Sequence, residues 1–365
     1  MLNNNPVKVI ETIDWLNVLN KSIQNLKLLS PIIITTPGNR KRLNLDSKFN
    51  PQSIFSDIRS NPNFNDCINA IKFCQKGDFD SLIALGGGSA MDLAKVVIAH
   101  LSLKISDVFK ILDFKGPFQK KIPAIFLPTT HGTASEVTMW GTIWNMKEKK
   151  KYSISHPSLY PDIAILDGNL TLSLPLDISI TTIMDALSHS LEAIWNKKST
   201  NASTNFAIKA ICEIIKNVEI FKMDPSNLNI RKKLLNASTT AGFAFSKTTT
   251  AAAHSISYPL TIHYDIPHGI ASSITLLPLL EINKSFIKEP INIICNNLEL
   301  TFNELKQAIK VIPNGIVPYT LREWNVPKNQ LNRLSVESFT KGRMDNNIID
   351  LSKNQVLSIL NKVYE

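Results

Sequence analysis

The chain has 365 residues, 44% of them hydrophobic, and 40 Lys and Arg stand against 30 Asp and Glu for a formal net charge of +10. That length supports a large core and two domains rather than one, and no apolar run reaches the roughly 20 residues of a membrane-spanning helix. The lysines are spread, the densest cluster being the KEKKK run at 147–151, so the excess reads as a solvated basic surface and not as a nucleic-acid interface.

The first residues, MLNNNPVKVIETIDW, lack the charged region, apolar stretch and cleavage site of a signal peptide, and a cytoplasmic location is expected. Cys67, Cys74, Cys212 and Cys295 form no CxxC pair, which argues against a disulfide framework or a cysteine zinc site. An acidic substrate or a cofactor phosphate fits the charge balance.

In chain order, continuous apolar runs ending in turn residues predict strands at 31–36, 81–85, 122–127 and 162–166. Helical stretches such as 90–101 lie between them. This alternation predicts an α/β domain with a doubly wound, mostly parallel sheet. From about Pro175 the texture changes to apolar positions three and four apart, predicting long helices at 178–195, 201–221 and 231–245 and a further apolar stretch at 270–280. The expected domains are 1–174 and an all-α 175–365.

The strand at 81–85 runs into Gly86-Gly87-Gly88-Ser89, with a helix starting near Ala90. Consecutive glycines admit a bulky anion and the helix start offers unpaired N–H groups, so a pyrophosphate fits. The spacing is not GxGxxG, and a tight turn with Ser89 as N-cap fits equally. After the third strand, Pro128-Thr129-Thr130-His131-Gly132-Thr133-Ala134-Ser135 sets hydroxyls at a strand's C-terminal end, where ligands of open sheets bind. A hydroxyl-rich turn capping a helix is the other reading.

Asp185 and His189 are four apart on a predicted helix and share a face. Downstream, His254, His263 and His268 fall within one apolar segment. A single buried histidine is usually core. A carboxylate on an apolar face is costly unless a cation offsets it. One carboxylate with imidazoles suits Fe(II) or Zn(II), with positions left open for a substrate oxygen.

Together GGGSAMDLAK, PTTHGTASEVT, MDALSHSLE and HSISYPLTIHYDIPHG closely resemble the iron-containing (group III) alcohol dehydrogenases, over roughly residues 31–280. The resemblance implies the dehydroquinate synthase-like arrangement of a dinucleotide domain and a helical domain, and a homodimer. It implies metal ligation by Asp185, His189, His254 and His268. Cofactor contacts are implied at Gly87, Gly88, Ser89, Thr129, Thr130, Thr133 and Lys151. Many members carry an acid at the end of the first strand to bind the adenosine ribose. Here Thr36 stands there with Arg40, Lys41 and Arg42 beyond, which favours NADP(H) over NAD(H), a solvated basic loop being the alternative. Many relatives also have a second histidine where this chain has Tyr258; Tyr258, His263 or water is then the proton source, and packing is an equal role for Tyr258.

The strings at 139–145, 152–167, 185–197 and 244–261 are similar to those of phosphonoacetaldehyde reductases. That similarity implies reduction of phosphonoacetaldehyde to 2-hydroxyethylphosphonate. Another short-chain alcohol, aldehyde or semialdehyde is the alternative substrate. Candidates for an anion handle are Lys247, His263, and the hydroxyls of Ser246 and Thr248 to Thr250; for Lys247 a place on a solvated helix end is the competing role. A metallohydrolase leaves the glycine and threonine loops without a purpose, and a dehydroquinate synthase-like lyase fits the ligand set poorly.

Overall fold

In a computed structural model that describes residues 5–365, the chain divides into two compact units. Residues 5–130 together with 134–173 form an α/β unit, and residues 131–133 with 174–365 form a helical one.

The α/β unit is built on strands β1 (Lys8–Thr12), β2 (Pro31–Thr35), β3 (Ile54–Phe55), β4 (Ser81–Gly86) and β5 (Ala124–Pro128), the hairpin strands β6 (Trp140–Asn145) and β7 (Lys150–Ser155), and β8 (Ile163–Asp167). Its helices are α1 (Trp15–Asn25), α2 (Pro37–Arg42), α3 (Phe64–Cys74), α4 (Gly88–Leu103) and α5 (Val108–Asp113). Six strands form an all-parallel sheet in the order β1-β8-β5-β4-β2-β3.

Alternation along the strands sorts side chains to two faces. Ile32, Ile34, Leu82, Ala84 and Phe126 join a core with Cys67, Ile71, Met91 and Ala94 of α3 and α4. Ile33, Ile83, Leu85, Ile125 and Ile165 join another with Leu19 of α1. Helices on both faces explain why β4, β5 and β8 are buried throughout and read as unbroken apolar runs. From β2 the chain steps outward to β3, then returns to the other side of β2 for β4 and onward to β5. That reversal sets the C-terminal ends of β2 and β4 side by side, the ligand position of doubly wound sheets.

Four strands were not among those expected. β1 is a half-exposed edge strand carrying Lys8 and Glu11, and β3 is two residues long. The antiparallel pair β6–β7 is joined through the lysine-rich run that reads as a solvated basic surface.

The helical unit comprises α6 (Leu176–Ile194), α7 (Asn201–Met223), α8 (Leu228–Thr248), α9 (Ala252–Tyr264), α10 (His268–Ser273), α11 (Leu276–Asn283), α12 (Lys288–Leu298), α13 (Phe302–Val311), α14 (Leu331–Glu337) and α15 (Lys353–Lys362) around one core. Helix α6 is central, buried from Ile183 to Ile194 without a polar face. The apolar stretch at 270–280 is broken into α10 and α11. Among the described residues no single helix is long and apolar enough to cross a membrane.

Candidate functional site

Helix α6 carries Asp185, His189 and Glu192 on one side, since steps of four and three return to the same face. All three are buried, against an apolar core. Imidazoles arrive from α9 (His254) and from the first residue of α10 (His268). The His254 Nε2 lies 3.6 Å and the His268 Nε2 3.9 Å from Asp185 Oδ1. One ligand atom from each of Asp185, His189 and His254 falls within 4.8 Å of the others. The His189 ring stacks between His254, at 4.6 Å, and Phe245, at 4.0 Å.

Two backbone devices allow this approach. A Cβ on Gly269 would meet the Thr181 carbonyl oxygen at 2.1 Å, so only glycine lets the start of α10 lie against α6 beside Asp185. The turn into α9 passes through Thr249 at φ 59°, ψ −176°, a strained conformation for a β-branched residue. Asn346 Nδ2 donates to Thr249 Oγ1 and to the Thr250 carbonyl, both at 2.9 Å, and Asn196 Nδ2 donates to the Thr249 carbonyl at 3.2 Å. These bonds hold the strained turn and thereby the starting point of the helix that carries His254.

The electrostatics favour a cation. Burial alone would raise the Asp185 pKa, but His189, His268 and His254 hold it far below the usual carboxylate range. Burial depresses His189 to about 4 against the pull of Asp185, leaving it neutral at pH 7. Burial acts the same way on His254, yet Glu192 and Asp185 overcome it and raise that imidazole to about 9. Two buried carboxylates thus face a cluster in which His189 is neutral and only a positive charge nearby offsets their burial. Among the described residues, His189 Nδ1 and His254 Nε2 are buried without a hydrogen-bond partner, which is costly unless something binds them. Ligand atoms sharing one ion at bonds of about 2.1 Å lie roughly 3.0–3.4 Å apart, closer than the 3.6 and 3.9 Å that separate the His254 and His268 nitrogens from Asp185 Oδ1. The donor set fits Fe(II) or Zn(II).

The cluster contains groups that the sequence reading passed over. Glu192 Oε2 lies 2.5 Å from His254 Nδ1, and Ser272 Oγ donates to Asp185 Oδ1 at 3.0 Å. Glu192 stood in the MDALSHSLE string, seven residues after Asp185 on the same face; that spacing was its signal. Tyr258 is buried one turn after His254 on the same side of α9. His263 lies two and a half turns from His254, on the opposite side of α9, and its Nε2 pairs with Glu337 Oε2 at 2.7 Å. Lys247 is exposed in the last turn of α8, about 200° around the helix from the Phe245 that stacks on His189. Ser246, Thr248 and Thr249 spend their hydroxyls on backbone carbonyls.

In the α/β unit, Thr36, the glycines and Thr129 sit at the C-terminal ends of β2, β4 and β5. The N-cap of α4 is Gly87, not Ser89, and no side chain caps this helix. In the first turn the Ala90 N–H bonds the Gly87 carbonyl at 3.1 Å, and the N–H groups of Gly88 and Ser89 are left for an anion. Ser89 Oγ instead accepts the Asn61 backbone N–H at 3.3 Å. A Cβ on Gly87 would meet Thr130 Cγ2 at 2.8 Å. Asn39 ties the strand ends together, its Nδ2 reaching the Leu85 carbonyl at 3.4 Å and Thr129 Oγ1 at 3.3 Å. Thr36 caps α2 by accepting from the Asn39 N–H. Arg40 is held by Asp46 in a forked ion pair, and Arg42 by Asn39, Ser173 and the Leu170 carbonyl. Lys151 lies on β7 with Nζ 5.9 Å from the Trp144 ring. Thr133 falls within the helical unit.

The sequence pattern of the iron-containing alcohol dehydrogenases matches residues 6–168, and that of the Fe-containing alcohol dehydrogenase C-terminal region matches 179–364. Long-chain-alcohol dehydrogenase 1 of Geobacillus thermodenitrificans is 29% identical over 304 residues, 80% of this chain and 76% of its own. The 1-propanol dehydrogenase of Citrobacter freundii is 34% identical over 232 residues, 63% of this chain and 59% of its own length. The crystal structure of a sulfoacetaldehyde reductase from Bifidobacterium kashiwanohense in complex with NAD+ superimposes with a TM-score of 0.90 at 26% identity, covering 100% of this chain and 99% of that one. With both halves matched, and a buried carboxylate–imidazole cluster in the second, the chain belongs to the iron-containing alcohol dehydrogenase family.

Proposed function

We propose that this enzyme reduces a small anionic aldehyde with NAD(P)H, converting phosphonoacetaldehyde to 2-hydroxyethylphosphonate. The observation that carries the dehydrogenase part is the buried Asp185–His189–His254 cluster with His268 beside it. The likeness to a sulfoacetaldehyde reductase supports the substrate class, because sulfonate and phosphonate are both tetrahedral anionic heads on a two-carbon aldehyde.

When bound, a divalent iron or zinc supplies Lewis acidity toward a carbonyl oxygen, and the dinucleotide supplies hydride. The residues of the chain do the rest. Asp185, His189, His254 and His268 are the metal ligands in this reading. Gly87, Gly88, Ser89, Thr129, Thr130, Thr133 and Lys151 hold the cofactor, with the α4 N-terminus taking its pyrophosphate. Tyr258 shares a helix face with His254 and is the nearer proton source; His263, on the far side of α9, is the farther. Lys247 and the basic surface draw in the anionic substrate.

The NADP(H) preference rests on neutral Thr36 and on Lys41, since Arg40 and Arg42 are committed to partners in their own unit. A homodimer in the cytoplasm completes the reading.

Following NADPH and NADH oxidation with phosphonoacetaldehyde, sulfoacetaldehyde, butyraldehyde and succinic semialdehyde tests it. The expected result is fastest turnover of phosphonoacetaldehyde. Faster turnover of uncharged aldehydes removes the phosphonate assignment, and no oxidation with any aldehyde in metal-replete protein overturns the activity itself.

A further inference from the structure

Glu192 belongs to no ligand set, yet it touches a ligand. It lies one turn after His189 on α6 and is fully buried. Its Oε2 is 2.5 Å from His254 Nδ1, and its Oε1 accepts the His254 backbone N–H at 3.1 Å. The Ala251 backbone N–H also donates to this carboxylate. Helix α9 has no side-chain cap of its own: its N-cap is Ala251, just beyond the strained Thr249. Glu192 does for α9, from another helix, what a capping side chain does locally.

Both oxygens are committed, and this decides which nitrogen of His254 is left. An ionised carboxylate only accepts hydrogen bonds, so Nδ1 carries a hydrogen. When a cation displaces the second ring hydrogen, Nε2 is then the nitrogen left to bind it, on the side of Asp185 Oδ1, 3.6 Å away. We infer that Glu192 is a positioning residue with two linked tasks. It selects the His254 tautomer able to bind a metal, and it ties that choice to the first turn of α9. The inference rests on reading the cluster as a metal centre. Outer carboxylates of this kind contribute about 10–100-fold to metal affinity.

Glu192→Gln separates the two tasks. The amide oxygen can keep the backbone N–H bonds and so the cap. The amide nitrogen then faces Nδ1 as a donor and forces the ring hydrogen onto Nε2. The expected result is a metal-free protein with unchanged far-UV circular dichroism and unfolding midpoint. Its affinity for Co(II) and Zn(II), measured by competition with a chromophoric chelator, should fall about 10–100-fold, and the visible Co(II) bands should change. Unchanged affinity and bands overturn the inference. So does a loss of affinity accompanied by an equal fall in the metal-free unfolding midpoint.

The unsubstituted protein gives a reading that does not depend on the variant folding. In the Zn(II)-loaded form, 15N-histidine NMR should place the His254 hydrogen on Nδ1, and hydrogen on Nε2 overturns the inference. Asp185→Ala is the control. If it retains metal, the metal reading itself fails. If it loses metal while Glu192→Gln binds normally, only the role of Glu192 fails.

Discussion

The metal cluster and the glycine loop solve different binding problems with different materials. In the helical unit, Asp185, His189, Glu192 and His254 place ionisable side chains in an apolar core, each within reach of another. In the α/β unit, the candidate phosphate groups are backbone N–H groups at the start of α4, bordered by glycines and threonines. Charge buried in a core costs free energy that only a partner of opposite charge offsets. Backbone N–H groups at a half-buried helix start carry no net charge and so a much smaller penalty. The first site should therefore fail abruptly when one side chain is lost, and the second gradually as access narrows.

Asp185→Ala is the harshest test of the abrupt side. Loss of the ligand carboxylate should weaken metal binding by more than the roughly 100-fold upper range of outer-shell losses, and turnover should vanish with it. Metal analysis after gel filtration checks this; a variant that keeps a full equivalent of metal breaks the comparison.

Gly269→Ala should come next, although it removes no functional group. Its Cβ would sit 2.1 Å from the Thr181 carbonyl oxygen, a backbone atom that cannot rotate aside. A destabilisation of about 1–3 kcal/mol is expected, with a parallel loss of metal because His268 is the adjacent residue. Thermal unfolding and metal titration of the same sample measure both.

His131 sharpens the contrast within the helical unit, since it is a buried imidazole outside the cluster. Burial first, and Arg231 second, hold it down to about 3 from 6.5. Between those values the unfolded chain binds the proton and the folded chain does not. Its contribution is thus complete above about pH 6.5 and lost as the pH falls toward 3. Replacing it with Phe should flatten the acid limb of urea-unfolding stability by up to one proton. An unchanged slope between pH 6.5 and 4 would refute the assignment.

Gly87→Ala probes the gradual side. Its Cβ would meet Thr130 Cγ2, a side chain that can turn away, at 2.8 Å. The KM for NAD(P)H should rise about tenfold, the equivalent of 1.4 kcal/mol, with metal content untouched. Lys41→Ala should have the smallest effect. An exposed charge contact contributes about 0.2–1 kcal/mol, so the KM for NADPH should rise a few-fold and that for NADH should stay constant.

Legibility in the sequence followed the same division. Strands sandwiched by helices announced themselves as apolar runs, as β2, β4, β5 and β8 show. Strands β1 and β7 did not, because each is largely open to water and carries charge, and β6 did not, because Gly141, Thr142 and Asn145 interrupt its apolar run. In the helical unit, the i, i+4 spacing of Asp185 and His189 was plain, since a carboxylate is conspicuous on an apolar helix. Glu192 carried the same signal and was passed over, because its partner His254 is 62 residues away in the chain.

What the sequence determined by itself was local: which stretches alternate or repeat at helical spacing, which residues can ligate a metal, and where glycines let the backbone approach an anion. The tertiary structure decided which of these groups meet. Nothing in the spacing says that Gly269 must clear the Thr181 carbonyl, that Asn346 and Asn196 hold the strained turn at Thr249, or that Arg40 is tied to Asp46. The i, i+4 rule acts within one helix. Contacts between helices depend on how their surfaces pack, and that is set by the whole core.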